Sequence, residues 1–149
     1  MFKQLICVML LLAAVRPAST QQRPCNNTDR DQVEKAADTL RTWDALYLSY
    51  RQFRHCMDNV DAQEGYSESI AHILADHWQT LPRLADLIKK DRKFGDFVGL
   101  NATMSMDDVR KIKGNSIRHC PRGLSALCAK LKKDADSAIA EDAAALEHK

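Results

Sequence analysis

The tripeptide Arg-His-Cys occurs twice in this chain, at residues 54–56 and again at residues 118–120. A histidine beside a cysteine supplies the groups of thiol–imidazole chemistry, because the imidazole can take the thiol proton and leave a nucleophilic thiolate. Adjacent residues of a helix, however, point about 100° apart, so neither histidine is aimed at its neighbouring cysteine. The sequence contains no Cys-x-x-Cys redox motif and no Cys-x-x-Cys-His haem motif. We therefore expect structural cysteines.

The first residues of the chain indicate export. Residues 1–15 hold one early lysine and then an apolar run that is too short for a stable membrane anchor, and small residues follow. This pattern predicts a signal peptide over residues 1–20 and a mature domain over residues 21–149, located in the periplasm or secreted. Because such compartments are oxidising, we expect disulfides among the mature cysteines. These are Cys25, Cys56, Cys120 and Cys128.

Four cysteines allow three pairings, and helix geometry argues against one of them. Pro121 suits the first turn of a helix, which places Cys120 at the helix start and Cys128 within it. Eight residues at about 1.5 Å each would separate their Cα atoms by about 12 Å, whereas a disulfide needs about 7 Å or less. We therefore expect Cys56–Cys120 with Cys25–Cys128. The alternative is Cys25–Cys120 with Cys56–Cys128.

The elements that carry these residues are predicted to be helical throughout. Glycine and proline are scarce, with 5 and 4 residues, and no segment alternates apolar and polar residues over the length of a strand. We expect an all-α, compact single domain of about five or six helices, stapled by disulfides. Helix one is expected to begin at Thr28, which forms a capping box with Asp31, and to run almost to Cys56. The pattern allows a break near Ser49. A polar loop is expected at residues 58–65. The helices after it are expected to begin near Ser67, Pro82, Phe94, Ser105 and Pro121.

Charge argues against some partners and for others. Removing Lys3 and Arg16 from the 22 basic residues leaves 20, equal to the 20 acidic residues, so the mature chain is neutral. Neutrality argues against a dedicated binder of nucleic acid or anionic membranes. Residues 110–133 nevertheless contain no carboxylate, which predicts a docking face for an acidic-surfaced protein; solvated outer faces of two helices are the alternative. Its cations are Arg110, Lys111, Lys113, Arg118, Arg122, Lys130, Lys132 and Lys133.

Other residue groups have simpler interpretations. Glu68, His72 and Asp76 share one helix face and could bind a divalent metal, but a solvated stripe is preferred, so no metal or cofactor is expected. Aromatic residues from Trp43 to Phe53 predict core packing, or a groove for an apolar ligand. The glycosylation patterns at Asn26 and Asn101 matter only in a eukaryotic source. No catalytic motif is present, so we expect a protein that is not an enzyme.

Residues 47–120 carry a resemblance to known sequences. They read YLSYRQFRHC, EGYSESIAHILADHW, TLPRLADL, DRKFGDFV and RHCP in order. This series resembles an uncharacterised group of small exported bacterial helical proteins, which implies a periplasmic protein and assigns no catalytic residue. The layout also resembles periplasmic immunity proteins that neutralise cell-wall amidases. The leading hypothesis is an exported protein that binds another protein, as an immunity or inhibitor protein; the alternative is a carrier of a small apolar ligand between helices.

Overall fold

The computed structural model describes residues 24–37, 39–57, 60–102 and 105–147, without the side chains of residues 60–62. Over these residues the fold is all-α and compact, as predicted, with seven α-helices rather than five or six and with no strand. None of the described helices combines the length and apolar character needed to cross a membrane. The predicted signal peptide lies outside the described residues. The helices are α1 (Asn27–Ala37), α2 (Trp43–Phe53), α3 (Val60–Asp76), α4 (Leu81–Lys90), α5 (Arg92–Leu100), α6 (Met106–Arg118) and α7 (Ser125–Glu147), with 3₁₀ turns at Arg54–Cys56 and Trp78–Thr80.

The predicted first helix is two helices, and the break is not at Ser49. Helix α1 ends at Ala37, and α2 begins after Thr42, whose hydroxyl oxygen accepts a hydrogen bond from the Ala45 amide at 3.2 Å. Ser49 lies inside α2, where its hydroxyl is 2.6 Å from that of Tyr66. Buried apolar residues, Leu40 among them, continue through the connection. The apolar periodicity therefore does not show where α1 stops.

The polar loop predicted at residues 58–65 is wrong from residue 60 onward, because α3 already begins there. Gly65 lies within α3 at its closest approach to α1, where an added Cβ atom would be 2.5 Å from the Cβ of Ala37. About one turn further along α3, the Ser69 hydroxyl donates to the Ala37 carbonyl at 3.0 Å, so both residues contact the end of α1. Within the Glu-Gly-Tyr-Ser segment of the sequence, Gly65 therefore serves the α1–α3 contact.

An aromatic cluster joins α2, α3 and α5 at the centre of the core. The Tyr50 ring lies 5.3 Å from that of Phe94 and 4.8 Å from that of Phe97, and Tyr66 of α3 meets Phe97 edge-on at 5.4 Å. Such aromatic pairs add about 0.5–1.5 kcal/mol each to the burial of their area. Trp43, Tyr50 and Phe53 are buried, which confirms the interpretation of the aromatic stripe as core packing.

Candidate functional site

The structure forms two disulfides, Cys25–Cys56 and Cys120–Cys128, with Cα separations of 4.9 and 6.0 Å. All four cysteines of the described part are thus bonded, as the sequence predicts. Both pairings that we expected are wrong, however, and the bridge that helix geometry argued against is present.

The reason is the position at which α7 begins. Helix α7 begins at Ser125 rather than at Pro121, and a turn occupies the intervening residues, with the Leu124 amide donating to the Pro121 carbonyl at 3.1 Å. Gly123 has φ of 81°, a left-handed conformation that glycine adopts without steric cost. The separation of eight residues is therefore not measured along one helix. The turn folds Cys120 back toward α7, and Cys25 and Cys56 are left to bridge α1 to the end of α2.

At the first Arg-His-Cys tripeptide, the histidine is buried against a carboxylate. His55 Nε2 lies 3.1 Å from Asp29 Oδ2, and the two side chains are 10% and 7% exposed. Cys56 is 1% exposed, and its sulfur, the imidazole nitrogen and the carboxylate oxygen lie within 4.8 Å of one another. We call Asp29, His55, Cys56 and Cys25 the Asp29–His55 cluster.

The N-terminus of α1 sets the position of the Asp29 carboxylate. The Asp29 amide donates to Asn26 Oδ1 at 2.9 Å, and the Asn26 amide donates back to Asp29 Oδ2 at 3.3 Å. This reciprocal pair is a capping box two residues earlier than the one expected from Thr28 and Asp31. Sequence reasoning missed Asp29, although the Asn-x-x-Asp spacing was the signal that could have found it.

The arginine of the same tripeptide connects α2 to α5. Arg54 Nη2 donates to Asp91 Oδ2 at 2.9 Å, and its guanidinium lies 5.4 Å from the centre of the Tyr50 ring. Asp91 in turn caps α5, because its Oδ1 accepts from the Phe94 amide at 3.3 Å. Burial raises the pKa of the Tyr50 hydroxyl, so the ring stays neutral beside the arginine. Arg54 therefore places a positive charge between α2 and α5.

Arg54 borders a groove that measures about 560 Å³ and lies between α2, α3 and α5. Leu100 lies at the end of α5 and at the edge of this groove, and it is 83% exposed. A second hollow of about 390 Å³ lies on the other side of α5, and Asp96 borders both. We call α5 with its two hollows the α5 surface. Its groove is lined by Tyr50, Arg54, Met57, Gln63, Lys93, Asp96, Phe97, Leu100 and Asn101.

The predicted basic docking stretch is free of carboxylates in sequence but not in space. Several of its cations meet carboxylates that lie outside residues 110–133, so the pairing is with α3 and α7 or with the start of α6. The pairs are Arg110–Asp107 at 3.2 Å, Lys111–Asp76 at 2.9 Å, Lys113–Asp136 at 2.7 Å, Lys130–Asp134 at 2.7 Å and Lys132–Asp136 at 2.6 Å. Among the described residues, Arg118, Arg122 and Lys133 have no ion pair.

These pairs change the charge that a partner would meet. The Lys111 ammonium holds the pKa of the Asp76 carboxyl below its usual value, and Lys113 and Lys132 do the same for Asp136. Both carboxylates therefore remain charged and offset the lysines beside them. A docking role for the stretch stays a prediction, but its net positive charge is smaller than the sequence suggests.

The stripe of Glu68, His72 and Asp76 lies at the surface of α3. His72 Nδ1 is 3.1 Å from Asp76 Oδ2, while Asp76 Oδ1 accepts from Lys111. Glu68 and His72 border a hollow of about 260 Å³ together with residues of other elements. The described part of the chain holds a metal-sized group of three donors at the Asp29–His55 cluster and none on this stripe.

Comparison with known proteins adds no relative to these observations. The chain matches no protein-family model, no curated protein and no solved structure. Function must therefore be inferred from the two features described above, the α5 surface and the Asp29–His55 cluster.

Proposed function

We propose that this chain is an exported, non-enzymatic protein that binds another protein, and that the α5 surface is its docking site. The observation that carries this proposal is Leu100, a large apolar side chain left 83% exposed beside a groove of about 560 Å³. Tyr50, Arg54 and Met57 line that groove, and aromatic residues, arginine and methionine are the types enriched at protein interfaces.

The charges of the α5 surface favour an acidic partner. Arg92 and Lys93 are exposed at the start of α5, and neither forms an ion pair within the described ranges. Asp96, one turn further along, is the acidic residue that borders both hollows. An apolar side chain of the partner would enter the groove beside Leu100, and a carboxylate next to it would meet Lys93. Rim charges of this kind chiefly accelerate association and make it sensitive to salt.

An immunity or inhibitor role is the most concrete form of this proposal. It rests on the resemblance in layout to periplasmic immunity proteins, which is an association rather than a match of site residues. The two disulfides are compatible with a secreted or periplasmic location. A gene for a cell-wall hydrolase beside that of this chain would support the immunity role.

A small apolar ligand is the competing occupant of the same groove. Tyr50 and Phe97 provide an aromatic wall, and the volume lies within the range of small-molecule sites. Arg54, Gln63 and Asn101 interrupt that wall with polar groups, and the groove is open at Leu100. Sites for small apolar molecules are usually more enclosed and more apolar, so a protein partner is the better fit.

Site-specific photo-crosslinking in the source organism tests the proposal. A benzophenone amino acid replaces Leu100 in one variant and Leu48 in a matched control, since Leu48 is also an exposed leucine, at 67%, but lies on α2 outside the groove. We expect one crosslinked protein from position 100 and none from position 48. Mass spectrometry identifies it, and its capture by purified chain is then measured with Leu100→Glu, Lys93→Glu and Leu48→Glu.

The outcomes separate the alternatives. Loss of capture with Leu100→Glu but not with Leu48→Glu supports docking on the α5 surface. Equal capture by all three variants, with loss in Lys111→Glu/Lys113→Glu/Lys130→Glu, would move the site to the basic stretch. Co-purification of a small apolar molecule without any crosslinked protein would establish the carrier instead.

A further inference from the structure

The Asp29–His55 cluster brings together the donor atoms that zinc prefers in proteins. His55 Nε2, Asp29 Oδ2 and Cys56 Sγ lie within 4.8 Å of one another. Cys25 is bonded to Cys56, and their Cα atoms are 4.9 Å apart. The Cys25 sulfur is not part of the group within 4.8 Å but adjoins it through Cys56, and is the nearest fourth donor. Sulfur, imidazole nitrogen and carboxylate oxygen are the three ligand types of protein zinc sites.

The distance between two of these donor atoms is close to that in a tetrahedral site. With metal–ligand bonds of about 2.0–2.3 Å, tetrahedral geometry places the ligand atoms about 3.3–3.8 Å apart. The imidazole nitrogen and the carboxylate oxygen are already 3.1 Å apart. The Cys56 sulfur lies within 4.8 Å of both atoms. Once the disulfide is reduced, rotation of the Cys25 and Cys56 side chains must bring the two sulfurs to the remaining positions.

We propose that reduction of the Cys25–Cys56 disulfide creates a zinc site whose ligands are Cys25, Cys56, His55 and Asp29. A dithiol supplies two electrons and two protons to the disulfide and becomes a disulfide itself, which leaves two thiols. Zn²⁺ then displaces both thiol protons to solvent and binds the two thiolates. The proton on His55 Nε2, which points to the Asp29 carboxylate, leaves to solvent, and the imidazole carries its proton on Nδ1 instead. The lone pair of Nε2 and the ionised carboxylate of Asp29 can then bind the ion. The site is independent of docking at the α5 surface, so either proposal can fail alone.

The fold holds two of the ligands in place before the metal arrives. The capping box with Asn26 positions the Asp29 carboxylate, and both ligand side chains are at least 90% buried. A preformed, water-poor site lowers the ordering cost of binding and strengthens the attraction between thiolates and a cation. Zinc and the disulfide exclude each other, so metal occupancy reports the thiol state of Cys25 and Cys56.

The second disulfide provides an internal control. His119, beside Cys120, is exposed rather than buried, and its backbone carbonyl accepts from the Trp78 indole at 2.8 Å. No group of three metal donors in the described residues includes Cys120 or Cys128. Reduction of both disulfides should therefore create one zinc site per chain.

Metal titration of the mature protein tests the site. The protein is reduced anaerobically with a phosphine, which is then removed, and Co²⁺ and Zn²⁺ are added. We expect visible d–d bands of tetrahedral Co²⁺ with thiolate charge-transfer bands, and displacement of one Co²⁺ per chain by Zn²⁺. A chromophoric chelator measures zinc affinity in the wild type, Cys120→Ser/Cys128→Ser, Cys25→Ser/Cys56→Ser and His55→Ala. Circular dichroism checks that each variant is folded.

Each outcome decides for or against the site. Cys120→Ser/Cys128→Ser should keep the Co²⁺ spectrum and the affinity, Cys25→Ser/Cys56→Ser should lose both, and His55→Ala should weaken zinc binding by about tenfold or more while altering the Co²⁺ bands. Bound zinc should also slow reoxidation of the thiols. Reduced wild type without thiolate–Co²⁺ bands would overturn the proposal even if a variant fails to fold. Equal binding by the oxidised protein would overturn it as well.

Discussion

The two Arg-His-Cys tripeptides have the same residues in the same order and very different surroundings. In the first, Arg54 is paired with Asp91, His55 is buried on Asp29, and Cys56 is 1% exposed. In the second, both the arginine and the histidine are exposed, and the cysteine is half-buried at the start of a turn. The side chains of the first connect three separate helices, whereas those of the second hold a local corner between α6 and α7. We therefore expect the two identical tripeptides to contribute differently to the free energy of unfolding, because their partners come from distant parts of the chain.

The largest expected difference between the two regions concerns their disulfides. Cys25–Cys56 closes a separation of 31 residues and Cys120–Cys128 one of 8. Loop-closure entropy then predicts losses of about 4 and about 2.5 kcal/mol in the free energy of unfolding. Guanidinium denaturation of Cys25→Ala/Cys56→Ala and of Cys120→Ala/Cys128→Ala measures both. A larger loss for the second pair would show that the α6–α7 corner carries more of the fold than the comparison implies.

The two histidines should differ next. His55→Ala removes the imidazole from a buried carboxylate, and we expect a loss of about 1–3 kcal/mol in the free energy of unfolding. His119→Ala should change it by about 0.5 kcal/mol or less, because the carbonyl that accepts from Trp78 belongs to the backbone and is retained. Denaturation of both variants under oxidising conditions is the measurement. Equal losses would mean that burial of His55 contributes nothing.

The arginines should show a smaller contrast. Arg54→Ala removes the bond to Asp91 and the contact with the Tyr50 ring, which together contribute about 1–2 kcal/mol for a partly exposed group. Arg118→Ala should have an effect of about 0.5 kcal/mol or less, since no ion pair to Arg118 occurs in the described residues. Arg54→Lys is a useful third variant, because it keeps the charge and loses the planar contact. Similar denaturation midpoints for Arg54→Ala and Arg118→Ala would contradict the comparison.

The smallest effect concerns the surface charges beside the second tripeptide. Hydrogen bonds from Lys113 and Lys132 lower the pKa of Asp136 below 3.8, its usual value. The interaction of Asp136 with the two lysines is therefore fully stabilising above the usual pKa of the carboxyl. This contribution disappears as the pH falls through the lower pKa that Asp136 has in the folded protein. Asp136→Asn should reduce the melting temperature slightly at neutral pH and not at strongly acidic pH.

Glu141→Gln is the matched control for that variant, because Glu141 is exposed on the same helix and forms no ion pair in the described part of the chain. High salt should erase the difference between Asp136→Asn and wild type, since exposed pairs are screened. A difference that grows toward acidic pH would have the opposite sign from that expected for a carboxyl with a lowered pKa.

Periodicity by itself determined the helical class, because apolar residues at helical spacing require a buried face whatever the neighbours are. It also located α4 and α5. The start of α6 near Ser105 was predicted as well, and there the Ser105 hydroxyl accepts from the Asp108 amide at 3.4 Å. These features depend on residues a few positions apart. Helix ends were less well predicted. Apolar spacing continues across the break before Thr42, and the polar residues at the start of α3 conceal that the helix begins at Val60.

The covalent pairing and the candidate sites were decided by the tertiary structure. A turn at Gly123 makes Cys120–Cys128 possible, and the remaining pair follows from it. Asp29 reaches His55 from 26 residues away, and Asp136 reaches Lys113 from the next helix. The spacing of residues along a chain predicts the relative directions of side chains only within one helix. Contacts between helices depend on where each helix ends and how the next one packs. The sequence therefore determined which side chains are available, and the packing of the seven helices in the described residues determined which of them meet.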